Sequence, residues 1–316
     1  MMNLKTKKLI AALLIATSAG LFTAGCGTDQ SAKKAPPKTA DVTWTESLDG
    51  KKVDMKVTAP PKRAVSMSFA TTEMMLTLGL QDQMAGTAFK EEEIYGPLAD
   101  AYAKVPVLGL GDVYKRQRAI PAEKLIAAGI PIFVPDSMQD TKATLDTNFD
   151  DMLEYGKIFG KEDNAQKWVD GQKKKLEAVQ SKLKNLPKVK AFVFDSEDGD
   201  PFTVFEGYTT NILKLIGVEN VMSGQNVDKT WAKTSWESFV KADPDYIIIV
   251  DYSTSDRTED DFAMKVDKMK NNPQLASVKA IKENHFIRVK LSEITPGVRT
   301  VDALERLAKE MHPDMK

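Results

Sequence analysis

Thr147 to Leu186 reads TNFDDMLEYGKIFGKEDNAQKWVDGQKKKLEAVQSKLKNL, and this stretch decides the fold. Phe149, Met152, Leu153, Ile158 and Phe159 recur at helical spacing before Gly160-Lys161-Glu162-Asp163; Trp168, Leu176, Val179 and Leu183 recur after it. The rest is rich in Lys, Glu, Ala, Gln and Leu, all good helix formers. Pro187 stops the pattern, and a strand starts at Val189–Phe194. No Gly-rich hinge intervenes. The stretch therefore reads as one long, stiff helix that joins an N-terminal half to a C-terminal half.

On both sides of it, strands alternate with helices. Upstream, Ala64–Met67, Met84–Thr87, Val105–Leu108 and Ile130–Val134 read as strands, and Thr71–Gly79 as an apolar helix that Gly79 can cap. Downstream, the strands are Phe192–Asp195, Thr203–Phe205, Tyr246–Val250 and Phe286–Val289. The helices there are Tyr208–Ile216, Ser235–Lys241, Asp260–Asn271 and Val301–Met311. Such alternation argues for parallel sheets. The fold class is α/β, with two Rossmann-like lobes, residues 42–146 and 187–316, each around a central parallel sheet and joined by one backbone helix, 147–186. Ahead of the first lobe, Val42 to Val57 alternates around Asp49-Gly50, a dipeptide that favours a tight hairpin. Gly111 to Arg118, GDVYKRQR, breaks the apolar rhythm. The first lobe lacks one strand–helix unit relative to the second. Residues 112–118 thus read as a junction with natural residues missing, in preference to a basic surface loop.

The N-terminus carries an address. Lys5, Lys7 and Lys8 precede a short apolar run, Leu9 to Phe22, and the small residues Thr23-Ala24-Gly25 lead to Cys26, the single cysteine among 316 residues. The run is too short to span a bilayer and reads as a signal peptide. A lone thiol on a secreted chain has no internal disulfide partner. The segment resembles a bacterial lipobox, with Thr23 where Leu is usual, so Cys26 is expected to become a lipidated N-terminus. Residues 27–41, with the Lys-, Ala- and Pro-rich SAKKAPPKTA, read as a flexible tether. Past residue 26 the chain holds 41 Lys and Arg against 45 acids, about −4, with signs interspersed. Nothing in that balance attracts nucleic acid.

Catalytic signatures are missing. There is no nucleophile elbow, no GxGxxG after a strand and no P-loop. Only His285 and His312 are present, too few and too far apart in sequence to suggest a protein-ligated zinc or manganese. Asp198-Gly199-Asp200 lacks the later ligands of a calcium loop and reads as a turn.

Several segments follow one another in a set order: Pro61-Lys62-Arg63-Ala64-Val65, Thr72-Glu73-Met74-Met75-Leu76-Thr77-Leu78-Gly79-Leu80, Thr234-Ser235-Trp236-Glu237, and Ala242-Asp243-Pro244-Asp245-Tyr246-Ile247-Ile248. Pro296-Gly297-Val298-Arg299, Ala303-Leu304-Glu305-Arg306-Leu307-Ala308 and His312-Pro313 complete the set. With the lipobox and the bridging helix, they resemble the substrate-binding proteins of iron-siderophore, haem and cobalamin ABC importers. The family's strand and Pro-Asp element expected after Leu108-Gly109 is missing. The resemblance implies a monomeric, non-enzymatic lipoprotein that holds a ligand between lobes of limited motion and passes it to an importer permease. The expected cargo is a chelated ferric iron, with no cofactor of the protein's own. Cobalamin or haem is the alternative, with Tyr208 or Tyr252 as a haem ligand; an enzyme on the same scaffold is disfavoured by the missing motifs. Permease docking in this family uses one acid per lobe, here Glu237 and either Asp100 or one of Glu91-Glu92-Glu93.

A large flat ligand calls for aromatic walls and a few convergent polar or cationic groups. In α/β folds these gather at the carboxyl ends of strands. In the first lobe the candidates are Ser66, Ser68, Phe69, Thr87, Phe89 and Ser137; in the second they are Tyr208, Trp231, Lys233, Trp236, Tyr252 and Arg299. Core packing competes for Phe69, Phe89 and Trp236. Trp231 lies in a polar segment without apolar period, which favours the cleft. Arg299 follows the Pro296-Gly297 turn and is expected to present its guanidinium to the ligand, against a surface ion pair.

Overall fold

Alternating side chains make β1 (Val42–Leu48) and β2 (Lys51–Val57) an antiparallel hairpin in which Leu48 faces Lys51, as the Asp49-Gly50 signal requires. The computed structural model describes residues 41–315 apart from Asp49, 89–91, 109–120, Asp140, 226–227 and 255–258. The readings of Cys26, the tether, Phe89, Glu91 and the junction at 112–118 lie outside the described residues. The hairpin is tied down by its own side chains. Trp44 Nε1 donates to Ile132 O at 2.9 Å, and Glu46 Oε1 accepts from Val134 N at 3.0 Å. This corrects the reading of Ile130–Val134 as a strand: the segment forms none, two of its backbone groups being engaged by hairpin side chains.

The first lobe has β3 (Ala64–Ser66) parallel to β4 (Met84–Thr87), with α1 (Phe69–Thr77) between them. Ser68 caps α1, its Oγ accepting from Thr71 N at 3.2 Å, so the helix begins before the expected Thr71. Val105–Leu108 shrinks to a single parallel bridge, Val107 to Thr87. Short helices α2 (Ala99–Tyr102), α3 (Ala122–Ala127) and α4 (Asp136–Gln139) complete the described part.

The joining element is not one rod. It is α5 (Leu145–Phe159) and α6 (Glu162–Leu183), with Gly160 at φ 64° ending the first in the left-handed conformation. In a continuous helix Phe149 and Trp168 would stand about 28 Å apart along the axis. Their rings meet edge to face with centroids 5.9 Å apart, so α5 folds back on α6. The bridge is α6 alone, about 33 Å of helix. Near its start Asn164 Nδ2 donates to Leu78 O of the first lobe at 3.1 Å; near its end Gln180 Nε2 donates to Leu215 O of the second at 3.1 Å.

The second lobe opens with β5 (Val189–Phe194), then the ribbon strands β6 (Ser196–Asp198) and β7 (Asp200–Val204), in which Asp198 faces Asp200 across the expected turn. Next come α7 (Tyr208–Lys214), β8 (Val218–Asn220), β9 (Trp231–Lys233) and α8 (Trp236–Ala242). The chain closes with β10 (Tyr246–Val250), α9 (Asp261–Lys270), α10 (Lys279–Lys282), β11 (Phe286–Val289), α11 (Leu291–Ile294) and α12 (Thr300–Met311). Its main sheet is parallel in the order β11-β10-β5-β8. The run Ile247-Ile248-Ile249-Val250 is wholly buried because helices cover both faces. Ile247 and Ile249 feed one apolar cluster, Ile248 and Val250 the other. That second cluster runs on through Phe149, Met152, Val169 and Val179 to Met74 and Leu78. The lobes share one core along α6.

Candidate functional site

The carboxyl ends of β3 and β11 and the N-terminus of α7 point toward one cleft of about 520 Å³ between the lobes. From the first lobe it takes Met67, Ser68, Phe69 and Ala70 at the start of α1, Glu92, and Ser137, Met138 and Gln139 of α4. From the second it takes Tyr208 and Thr209 of α7, Thr230 and Trp231 entering β9, and Leu291 and Ser292 of α11. Thr141, Thr295 and Pro296 complete the described wall.

Five expected ligand residues therefore meet here: Ser68, Phe69, Ser137, Tyr208 and Trp231. Trp231 is half-buried and stacks on Phe202 at 6.2 Å between centroids. Tyr208 is buried, its hydroxyl 2.9 Å from Thr300 Oγ1, and burial pushes that phenol well above its ordinary range. Ser137 Oγ is buried with no hydrogen-bond partner among the described residues, while its backbone N–H donates to Asp151 Oδ2 at 3.0 Å. Ser66 and Thr87 are instead tied into the hydroxyl network of Thr72, at 2.8 and 2.5 Å.

The other expected contacts are corrected. Arg299 does not line the cleft. Its Nε donates to Glu73 Oε2 at 2.9 Å and its Nη2 to Glu73 Oε1 at 2.6 Å and Glu93 O at 2.6 Å, so its planar fork is filled by the first lobe. Phe69 and Tyr95 flank the guanidinium at 5.1 and 5.7 Å. Lys233 is exposed and pairs with Asp198 at 3.2 Å. Trp236 packs on Phe194 and Phe239 and donates Nε1 to Gly199 O at 3.0 Å, so core packing claims it. Tyr252 donates to Asp195 Oδ1 at 2.5 Å away from the cleft, and burial raises its phenol. The docking candidates Glu237 and Asp100 are both exposed, each in the first turn of its helix.

Sequence reasoning missed Thr141, Thr209, Thr230, Leu291, Ser292 and Pro296. Leu291 and Ser292 come directly after β11, so the rule that ligands bind beyond strand carboxyl ends is the signal that could have found them. Glu92, expected only as a docking acid, is buried in the wall: its carboxylate accepts the Ser292 hydroxyl and Ser292 N, the latter at 3.2 Å. Burial raises its carboxyl above the usual range.

The sequence model of the periplasmic binding proteins matches residues 112–291, more than half of the chain. The chain belongs to the periplasmic binding protein family. It is 25% identical to the uncharacterized ABC transporter substrate-binding lipoprotein YvrC of Bacillus subtilis (strain 168), over 96% of each chain. A periplasmic binding protein from Veillonella parvula DSM 2008 superposes with TM-score 0.83 at 58% identity, covering 87% of this chain and 99% of that one. An ABC-type Fe3+-hydroxamate transport system from Saccharomonospora viridis DSM 43017 shares the fold, TM-score 0.68 at 21% identity over 85% and 99%. As a periplasmic binding protein the chain binds and does not catalyse. Among the described residues no helix is long and apolar enough to cross a membrane, and no cluster of His, Cys, Asp and Glu is arranged to hold a metal.

One backbone position holds the second-lobe wall in place. Gly207, at φ 84° and ψ −155°, precedes α7, and a Cβ there would lie 3.0 Å from Thr141 O and 3.0 Å from Thr230 Oγ1. That backbone region is essentially reserved for glycine. Gly207→Ala is expected to lower the unfolding free energy by about 1–3 kcal/mol, read by urea denaturation. An unchanged midpoint would mean that the Thr141–Thr230 wall yields freely.

Proposed function

We propose that this periplasmic binding protein captures an iron chelate of the ferric siderophore type between its lobes and delivers it to an ABC importer permease. The observation that carries the reading is the cleft of about 520 Å³ whose walls combine the Phe69, Tyr208 and Trp231 rings with hydroxyl side chains. Its size and amphipathic lining suit a bulky, partly apolar ligand. In this reading the iron arrives already chelated. Cys26 carries the lipid that anchors the body outside the cytoplasm, in keeping with the lipoprotein relative. The test is intrinsic fluorescence titrated with ferric hydroxamates, ferric catecholates, haem and cobalamin, with Trp231 as reporter. Saturable quenching by a ferric chelate supports the reading; saturation by haem or cobalamin alone replaces it, and by none removes it.

Delivery has its own residue. Glu237 stands exposed on α8, clear of the cleft-lining residues, where a carboxylate can pair with a permease arginine and set orientation and on-rate. Glu237→Arg is expected to leave chelate affinity unchanged while uptake into cells falls about tenfold or more, since a like-charge pair replaces an attractive one. Normal uptake by the variant would take docking away from Glu237.

A further inference from the structure

The charge of the cleft wall narrows the cargo. Among the described residues that line it, none is Lys, Arg or His, and Glu92 is the one acid. The cations nearest to Glu92 are already engaged. Arg299 Nη1 lies 3.6 Å from Glu92, but its other nitrogens are bonded to Glu73. Lys290 Nζ is held by Asp251 Oδ2 at 2.9 Å and by Ser253 O. Arg299 is thus shared by two carboxylates, Glu73 and Glu92, and Lys290 faces Asp251, so this side of the wall keeps an excess of negative charge. Its two oxygens are turned to Ser292, and Ser137 Oγ, buried and without a partner among the described residues, faces the same space. A buried hydroxyl left unpaired is satisfied when a ligand brings the missing donor or acceptor.

We propose that this cleft selects chelates of zero or positive net charge and rejects polyanionic ones. The inference rests on the chelate-binding reading above and adds the ligand's charge class to it. A neutral ferric trihydroxamate presents amide-like edges and aliphatic linkers to Phe69, Trp231 and the hydroxyls, and costs the site no charge repulsion. A triply anionic ferric tricatecholate would meet a buried carboxylate and, among the described residues, no unpaired cation, and like charges brought together out of water are strongly disfavoured.

The experiment measures affinities of the intact protein for a neutral ferric trihydroxamate, a cationic one and a ferric tricatecholate, by calorimetry in one buffer. The hydroxamates are expected to bind at least about a hundredfold more tightly than the catecholate. Glu92→Gln, which keeps the size and an acceptor for Ser292, should narrow that gap by improving catecholate binding; its melting curve confirms that it folds. Ser137→Ala should weaken the neutral chelate severalfold without touching charge discrimination. Equal or tighter binding of the catecholate by the wild-type chain overturns the charge rule and leaves chelate capture standing. Failure of every chelate to bind removes both.

Discussion

Arg299→Met is expected to lower the unfolding free energy by about 3–5 kcal/mol, the range found when one partner of a buried ion pair is removed. The guanidinium is 10% exposed and the Glu73 side chain 2%, and the two share a bidentate pair at 2.6 and 2.9 Å. Glu73 also accepts Tyr95 N at 2.7 Å, and Glu92, equally shut from water, stands 3.6 Å from the same guanidinium. Without the cation, two carboxylates are left buried and uncompensated. A surface pair would cost no more than about 1 kcal/mol. Urea denaturation reads the difference as a fall in midpoint at constant slope. Adding Glu73→Gln to Arg299→Met should return part of the loss, because one stranded charge goes with it. A single-variant loss below about 1 kcal/mol would show that water reaches the pair and that Arg299 does not clamp the lobes.

Trp231→Ala is expected to weaken binding of the proposed chelate about thirtyfold, roughly 2 kcal/mol, and to leave the melting temperature nearly where it was. Its indole faces the cleft, half-buried, backed by Phe202 and framed by Thr230. Losing such an anchor removes the face a ligand would use, while its packing on Phe202 and the edge of the apolar core is only partial. Trp236, on the adjoining helix, is the control. It is wedged against Phe194 and Phe239 and hydrogen-bonded to Gly199 O, so Trp236→Ala should cost stability and spare affinity. Calorimetric titration and thermal melts of the two variants separate the outcomes. If Trp231→Ala binds chelate like the parent, the ligand does not touch this wall.

Local signals in the sequence locate most elements because local physics makes them. The Asp49-Gly50 turn, the buried Ile-rich β10 and the amphipathic α12 each arise from spacing over a few residues. The features that escape such a reading depend on distant partners. Two helix-forming runs separated by Gly160 read as one, because nothing local says that Phe149 and Trp168 pack together. Ile130–Val134 has strand composition, yet Trp44 and Glu46, more than eighty residues earlier, take two of its backbone groups. The site divides the same way. Trp231 is legible because an aromatic in a polar segment without apolar period stands out locally. Arg299 is not, because its turn gives no hint of Glu73, which is 226 positions away.

The ties across the back of the cleft also set how the loaded and empty forms differ. Arg299 to Glu73, Tyr95 to Asp302 and Ser292 to Glu92 each join a first-lobe residue to a second-lobe one. With α6 and a continuous apolar core beneath them, they leave little room for the jaws to swing. Cargo then enters a mouth that is already shaped. Under the proposed function its capture is expected to be a single encounter, with an observed rate that climbs linearly with concentration in stopped-flow fluorescence. A receiver in the membrane gains no large closure to sense. It has to tell full from empty by the exposed edge of the cargo itself, or by side chains at the rim that the cargo displaces.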